Sequence, residues 1–330
     1  MDKMCAYYGK KLSLQPWEPS AAVFRHLKDW RFSGRAGGGF TVLELLVVIA
    51  VIGILAALLL PVLQTAKKRG QGINCLNNTK QILIAWNLYA AENSDKVADS
   101  RHWLGFPKSD PGQDPQNGGW FKTGGTEDPL TPDSTNLTLL TGGLLNNYLA
   151  GNYKVYKCPG DPSNFRGTPV VRSYSMNVFI GKPSEWSATN SYVNYACWDV
   201  GNANSPGWQQ DYLGYDKLGS MTRPGPGRTF VILDESYQTL NDGCFFSFMV
   251  GYDPAQPSAL AFTDIPASYH NLCGSFSYAD GHSEFHKWMS GETPALEQDT
   301  QTWIEQTPGN PDADWLDSVS TAKINHATRN

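Results

Sequence analysis

The chain has 330 residues, 17% of them charged, with a formal net charge of −5. That length leaves room for one sizeable domain or two small ones. Residues 1–39 carry seven Lys or Arg against three acidic residues, net +4, which leaves −9 for residues 40–330; with no basic patch in that acidic remainder, nucleic acid is not expected as a partner.

The first 39 residues are a basic segment. The run Phe40–Leu63 that follows is apolar apart from one charged residue, Glu44. At about 1.5 Å per residue, such a run spans the hydrocarbon core of a bilayer, about 30 Å thick, as one helix. A basic leader before it and an acidic remainder after it fit a cytoplasmic N-terminus and an exported C-terminal region. An ordinary single-span anchor or a secretory signal would account for the apolar run. Neither accounts for a Gly39-Phe40 junction set directly against it together with a carboxylate inside it. A lone carboxylate in lipid needs a cationic partner, and cleavage between Gly39 and Phe40 would create one, the α-amino group of Phe40.

The pattern Gly39, Phe40, Thr41, Val42, Leu43, Glu44, with Pro61 further along, resembles the leader and N-terminal helix of type IV prepilins and type II secretion pseudopilins. The resemblance implies that a prepilin peptidase/methyltransferase cuts after Gly39 and methylates Phe40. It implies that Glu44 pairs with Phe40 of a neighbouring subunit in a filament. The implied partners are the peptidase, other pilins or pseudopilins and an inner-membrane assembly platform. The head would lie in the periplasm, or outside the cell after assembly.

Pro61 removes one helical hydrogen bond, yet apolar and helix-favouring residues persist on both sides, so a kink is expected and not a stop. Cys75, Leu76, Thr79, Ile82, Leu83, Trp86 and Tyr89 then recur at three-, four- and seven-residue spacing, the stripe of an amphipathic helix. One helix from Phe40 to about Glu92 is thus half anchor and half core. The expected boundaries are 1–39 leader, 40–63 transmembrane half, 64–96 amphipathic half and 97–330 head.

From Asn93 to about Gly143 the chain reads as loops, pinned by aromatics such as Trp103, Phe106, Trp120 and Phe121. The run Asn93 to Asp99 lacks the spacing and the glycine of an EF-hand and reads as a helix end. A short helix is expected in LLNNYLA (144–150). A strand with one buried face is expected around Tyr174, Met176, Val178 and Ile180, and further strands at Thr229–Leu233 and Cys244–Val250. Asp234, Glu235 and the Asn241-Asp242-Gly243 turn read as the connection between the last two. The fold class is therefore α+β: the long helix packed on an antiparallel sheet with long loops.

In HNLCGSFSYADGHSEFHKW (270–288), Asp280-Gly281 signals a two-residue hairpin turn, which would set Tyr278 opposite Ser283 and Phe276 opposite Phe285. His270, Asp280 and Gly281 also match the H-X9-DG pattern of prepilin-processing-associated proteins. That resemblance extends to CLNNTKQI (75–82), YKCPGD (156–161), RSYSMN (172–177) and LDES (233–236). Near the C-terminus, Asn310-Pro311 with Asp312 and Asp314 predicts an N-cap and first turn, with Trp303 and Trp315 as anchors.

A site from His270, Asp280, Asp234 and Glu235 is weighed and set aside, since the turn and a strand end explain the three acids. His282 and His286 read as solvated hairpin residues. The five cysteines beyond the leader (Cys75, Cys158, Cys197, Cys244, Cys273) allow at most two disulfides, and their scattered spacing without CxxC argues against zinc. No cofactor is expected from the residues; the resemblance leaves calcium open, because some pseudopilin heads hold it in a C-terminal loop. No nucleophile, phosphate loop or paired-carboxylate pattern supports an enzyme. The alternative to a filament subunit is a membrane-tethered periplasmic module that stacks carbohydrate or polymer on some of its eleven tryptophans.

Overall fold

The computed structural model describes residues 41–100, 103–104, 132–181, 212–240, 243–252, 260–298 and 305–323. Residues 1–40, with Gly39 and Phe40, lie outside them, as do Phe106, Trp120, Phe121, Cys197 and Trp303. The chain divides into two units, Met1–Leu60 and Pro61–Asn330. Helix α1 (Val42–Glu92) contributes to both.

In the first unit every described residue is exposed. Mean hydropathy over 18 residues of α1 reaches 3.1, with none of that stretch buried. The helix is long and apolar enough to cross a membrane, and a helix apolar on all sides without a protein core around it suits lipid.

In the second unit α1 runs on through Pro61, whose carbonyl accepts a hydrogen bond from Thr65 Oγ1 at 3.0 Å. The predicted stripe is the buried face: Cys75, Thr79, Ile82, Leu83 and Trp86 are inside, while Ile73, Ile84 and Leu88 face out. Ser94 and Asp95 enter the left-handed region at φ 56° and 69°. Asp95 N–H then donates back to Ala90 O at 2.9 Å, which satisfies an orphan carbonyl and stops the helix. The Asp95 carboxylate accepts from Gly219 N–H at 3.0 Å, so the run from Asn93 is a helix end, as expected.

The remaining elements are short. They are α2 (Thr138–Thr141), β1 (Asn164–Phe165), β2 (Thr168–Pro169), β3 (Tyr174–Asn177), β4 (Phe230–Asp234), β5 (Cys244–Phe245), β6 (Ser247–Phe248), β7 (Ala261–Phe262), β8 (Cys273–Tyr278), β9 (Ser283–Lys287), α3 (Glu292–Ala295), β10 (Glu305–Gln306) and α4 (Pro311–Ser320). The helix expected at 144–150 is a single 3₁₀ turn, Asn146–Leu149, ended by Ala150 at φ 50°. The main sheet has the order β5-β3-β4-β8-β9. It is mixed and not wholly antiparallel: β3 pairs with β5 in parallel, Met176 opposite Cys244.

Strand β3 is buried at all four residues, against the expectation of one buried face. The reason is that apolar clusters cover both faces of the sheet. A register shift between Phe230 and Ile232 lets the neighbours Val231 and Ile232 join the cluster beneath α1, while Phe230 and Leu233 join the other. That second cluster is closed by α4, whose Ala313, Leu316 and Val319 are buried. Asn310 caps α4 as predicted, its side chain accepting from Asp312 N–H at 2.9 Å and Ala313 N–H at 3.4 Å.

The β8–β9 hairpin forms, one residue out of the expected register. Ser277 stands opposite Ser283 and Phe276 opposite Glu284. Only Gly281, at φ 99°, is left-handed; Asp280 is not. Gly281 N–H donates to Tyr278 O, and Tyr278 N–H to His282 O, both at 2.9 Å. The loop therefore has three residues, a turn followed by a left-handed glycine, and not the two-residue form. Phe276 instead meets Phe230 and Trp315 edge-on, at 5.6 and 4.9 Å between ring centres.

Candidate functional site

At the start of α1, Glu44 is bonded locally. Its Oε2 accepts from Thr41 N–H at 2.9 Å and Thr41 Oγ1 at 3.0 Å, and Thr41 Oγ1 accepts from Glu44 N–H at 3.2 Å. This is a reciprocal capping box, which satisfies two of the orphan donors at a helix start. The pattern Thr41-x-x-Glu44 before an apolar run is its sequence signal.

The residues of the H-X9-DG pattern part company. Asp280 and Gly281 build the hairpin turn, where Asp280 Oδ1 accepts from His282 N–H at 3.1 Å. His270 turns inward, 6% exposed, to a buried cluster in the second unit. There Cys75 comes from the buried face of α1, Cys158 from the loop after the 3₁₀ turn Tyr153–Tyr156, and Asp234 from the end of β4. The four offer one ligand-type atom each, all within 4.8 Å of one another. His270 Nε2 lies 3.2 Å from Cys158 Sγ and 3.6 Å from Asp234 Oδ2, which in turn is 4.0 Å from Cys75 Sγ.

Around them the polar groups of the fold point inward. Tyr174 Oη donates to Cys75 Sγ at 3.2 Å, and Ser275 Oγ lies 3.3 Å from the same sulfur. Gly160 N–H donates to Cys158 Sγ at 3.3 Å, and Ser275 N–H to Asp234 Oδ1 at 2.6 Å. The His270 ring is seated against glycine: a Cβ on Gly160 would come 2.8 Å from His270 Cε1. Directly after it, Asn271 and Leu272 are both left-handed at φ 61° and 63°. Asparagine tolerates that region, but a leucine there costs about 1–2 kcal/mol, and such strain gathers at functional sites.

Burial pushes the Cys75 thiol and the Asp234 carboxyl well above their ordinary values. Burial alone would lower the His270 ring; hydrogen bonding to Cys75 and the charges of Asp234 and Cys75 outweigh it and leave the ring raised. The arrangement is not a nucleophile relay. In such a relay the acid holds the ring nitrogen opposite the one facing the thiol, whereas here Cys158 and Asp234 both face Nε2, and among the described residues Nδ1 has no hydrogen-bond partner.

Sequence reasoning grouped His270 and Asp234 with Asp280 and Glu235. The structure keeps the first pair together, sends Asp280 to the turn and bonds Glu235 to the Ser175 hydroxyl. It adds Cys75 and Cys158, which no local spacing links. The signal was that CLNNTKQI, YKCPGD, LDES and the H-X9-DG segment, four separate blocks, each supply one member. Cys244 is disulfide-bonded, while Cys75, Cys158 and Cys273 are free thiols. His286 is half-buried and not a freely solvated residue: its ring stacks on Trp315 at 3.4 Å between centres. No protein-family model, curated protein or solved structure matches the chain.

Proposed function

We propose that the chain is a pilin-like structural subunit. A prepilin peptidase cuts after Gly39 and methylates the amine of Phe40. The apolar half of α1 anchors the subunit in the inner membrane, and lateral packing of such helices builds a type II secretion pseudopilus or a related filament. Residues beyond the anchor form the α+β head on the exported side. The observation that carries this reading is the unburied apolar stretch of α1, opening directly after Gly39-Phe40 with Glu44 as its one charge.

The tryptophans bear on the alternative of a tethered ring-stacking module. Trp86, Trp103 and Trp288 are buried, and their indole N–H groups donate to Ala98 O, Gly243 O and Ala267 O at 3.0, 2.8 and 3.1 Å. These rings serve the core.

Gly39→Val tests the processing step. A branched side chain at the residue before the cut is expected to leave the chain in its unprocessed, slower-migrating form on a denaturing gel. A variant that runs at the mature position of the wild type contradicts cleavage at this junction.

A further inference from the structure

We propose that Cys75, Cys158, Asp234 and His270 bind a single Zn²⁺ ion that ties the head together. The inference concerns the second unit alone and does not depend on whether the chain assembles into a filament. Four residues of zinc-ligating types converge here from four separate segments, and their ligand atoms lie within 4.8 Å of one another. With Zn–S near 2.3 Å and Zn–N or Zn–O near 2.0–2.2 Å, a tetrahedral site needs ligand atoms about 3.3–3.8 Å apart. Three of the spacings, 3.2, 3.6 and 4.0 Å, bracket that range, and with all four atoms within 4.8 Å of one another, closure around an ion requires shifts of no more than about 1 Å.

The chemistry of the donors selects the metal. Two sulfurs and one imidazole are soft or borderline ligands, suited to zinc. Calcium needs six to eight oxygens, and this cluster offers one carboxylate. The surroundings are those of a ligand set. Tyr174 Oη and Gly160 N–H each donate to a sulfur, and Ser275 N–H fixes Asp234 Oδ1 so that Oδ2 faces the cluster. Such outer bonds orient ligands and support their charge. On binding, Cys75 and Cys158 release their protons to solvent, and the Asp234 carboxyl and the His270 ring give up whatever proton each holds on its ligand atom; two thiolates, one carboxylate and a neutral imidazole around a dication leave a net charge of −1, which these donors offset. The imidazole binds through Nε2 and carries its proton on Nδ1. All four groups are buried, so water has no place in the coordination sphere and the site is structural.

The test uses the full chain, without a polyhistidine tag, in detergent micelles. The protein is stripped with a chelator under reducing conditions and titrated with Zn²⁺ or Co²⁺. The expected results are one Zn²⁺ per chain by elemental analysis and, with Co²⁺, an intense thiolate-to-cobalt charge-transfer absorption. Cys158→Ala is expected to weaken binding at least 100-fold, while Cys273→Ala, at the half-buried thiol outside the cluster, leaves it unchanged. The cobalt spectrum of the wild type reads thiolate ligation even if Cys158→Ala fails to fold. A folded, reduced wild-type chain that takes up neither metal overturns the proposal, as does cobalt uptake without the thiolate band. A Cys75–Cys158 disulfide in the native protein, found by peptide mass mapping, overturns it too.

Discussion

Glu44→Gln is expected to leave the protein in the membrane and to remove filaments from the sheared fraction. Inside a bundle of apolar helices, a carboxylate that loses its cation, or a cation that loses its carboxylate, costs about 3–5 kcal/mol, which is more than a hundredfold in the association step. Insertion depends on the apolar run and is not changed by the substitution. Glutamine is the informative replacement because of the local contact with Thr41: an amide at this position still completes the capping box, so only the charge is lost. Thr41→Ala is the converse variant, which removes the cap and keeps the charge, and it is expected to retain filaments. Quantitative blotting of sheared and membrane fractions separates the outcomes. Glu44→Gln filaments in wild-type amount would remove the charge from the account of assembly.

The second large effect is on the head. Trp86 is fully buried on the inner face of α1, and its indole N–H is bonded to Ala98 O at 3.0 Å. Trp86→Ala opens a cavity the surrounding residues cannot fill and leaves that carbonyl without its donor, for a loss of about 3–5 kcal/mol. Leu88, two residues on, is 47% exposed, and Leu88→Ala should change stability by less than about 0.5 kcal/mol. Urea unfolding of both variants in the same detergent, followed by near-ultraviolet circular dichroism, checks the pair. Equal midpoints would mean that the inner face of α1 does not carry the head.

What was legible in the sequence was what repeats or caps locally. The stripe from Cys75 to Trp86, the end of α1 near Glu92 and the Asn310 cap of α4 each depend on residues within a few positions of one another, and each is found as read. The hairpin shows where that locality stops helping. Asp280-Gly281 fits both a two-residue and a three-residue loop, and only the left-handed state of Gly281 alone decides between them, moving Phe276 from Phe285 to Glu284. The parallel β3–β5 pair and the double burial of β3 arise from crossovers between distant segments, which period-two patterning does not encode.

Of the buried cluster, the pair His270 and Asp234 was legible, and the two cysteines were not, for the same reason. Cys158 and His270 are 112 residues apart, and Cys75 and Asp234 are 159 apart, so no spacing rule joins them. Sequence reasoning assigned Asp234 to a strand end, which is correct for its backbone and silent about its side chain. In the sequence His282 and His286 are alike, two histidines on one face of a hairpin strand. His282 is partly exposed beside Tyr278, while His286 is sheltered by Trp315, which arrives from α4.

The measurement that tests the central claim most directly is intact-mass and N-terminal analysis of the protein recovered from its native membrane. The account predicts a chain that begins at Phe40 and carries one methyl group on its α-amine. A chain that retains residues 1–39 would contradict it.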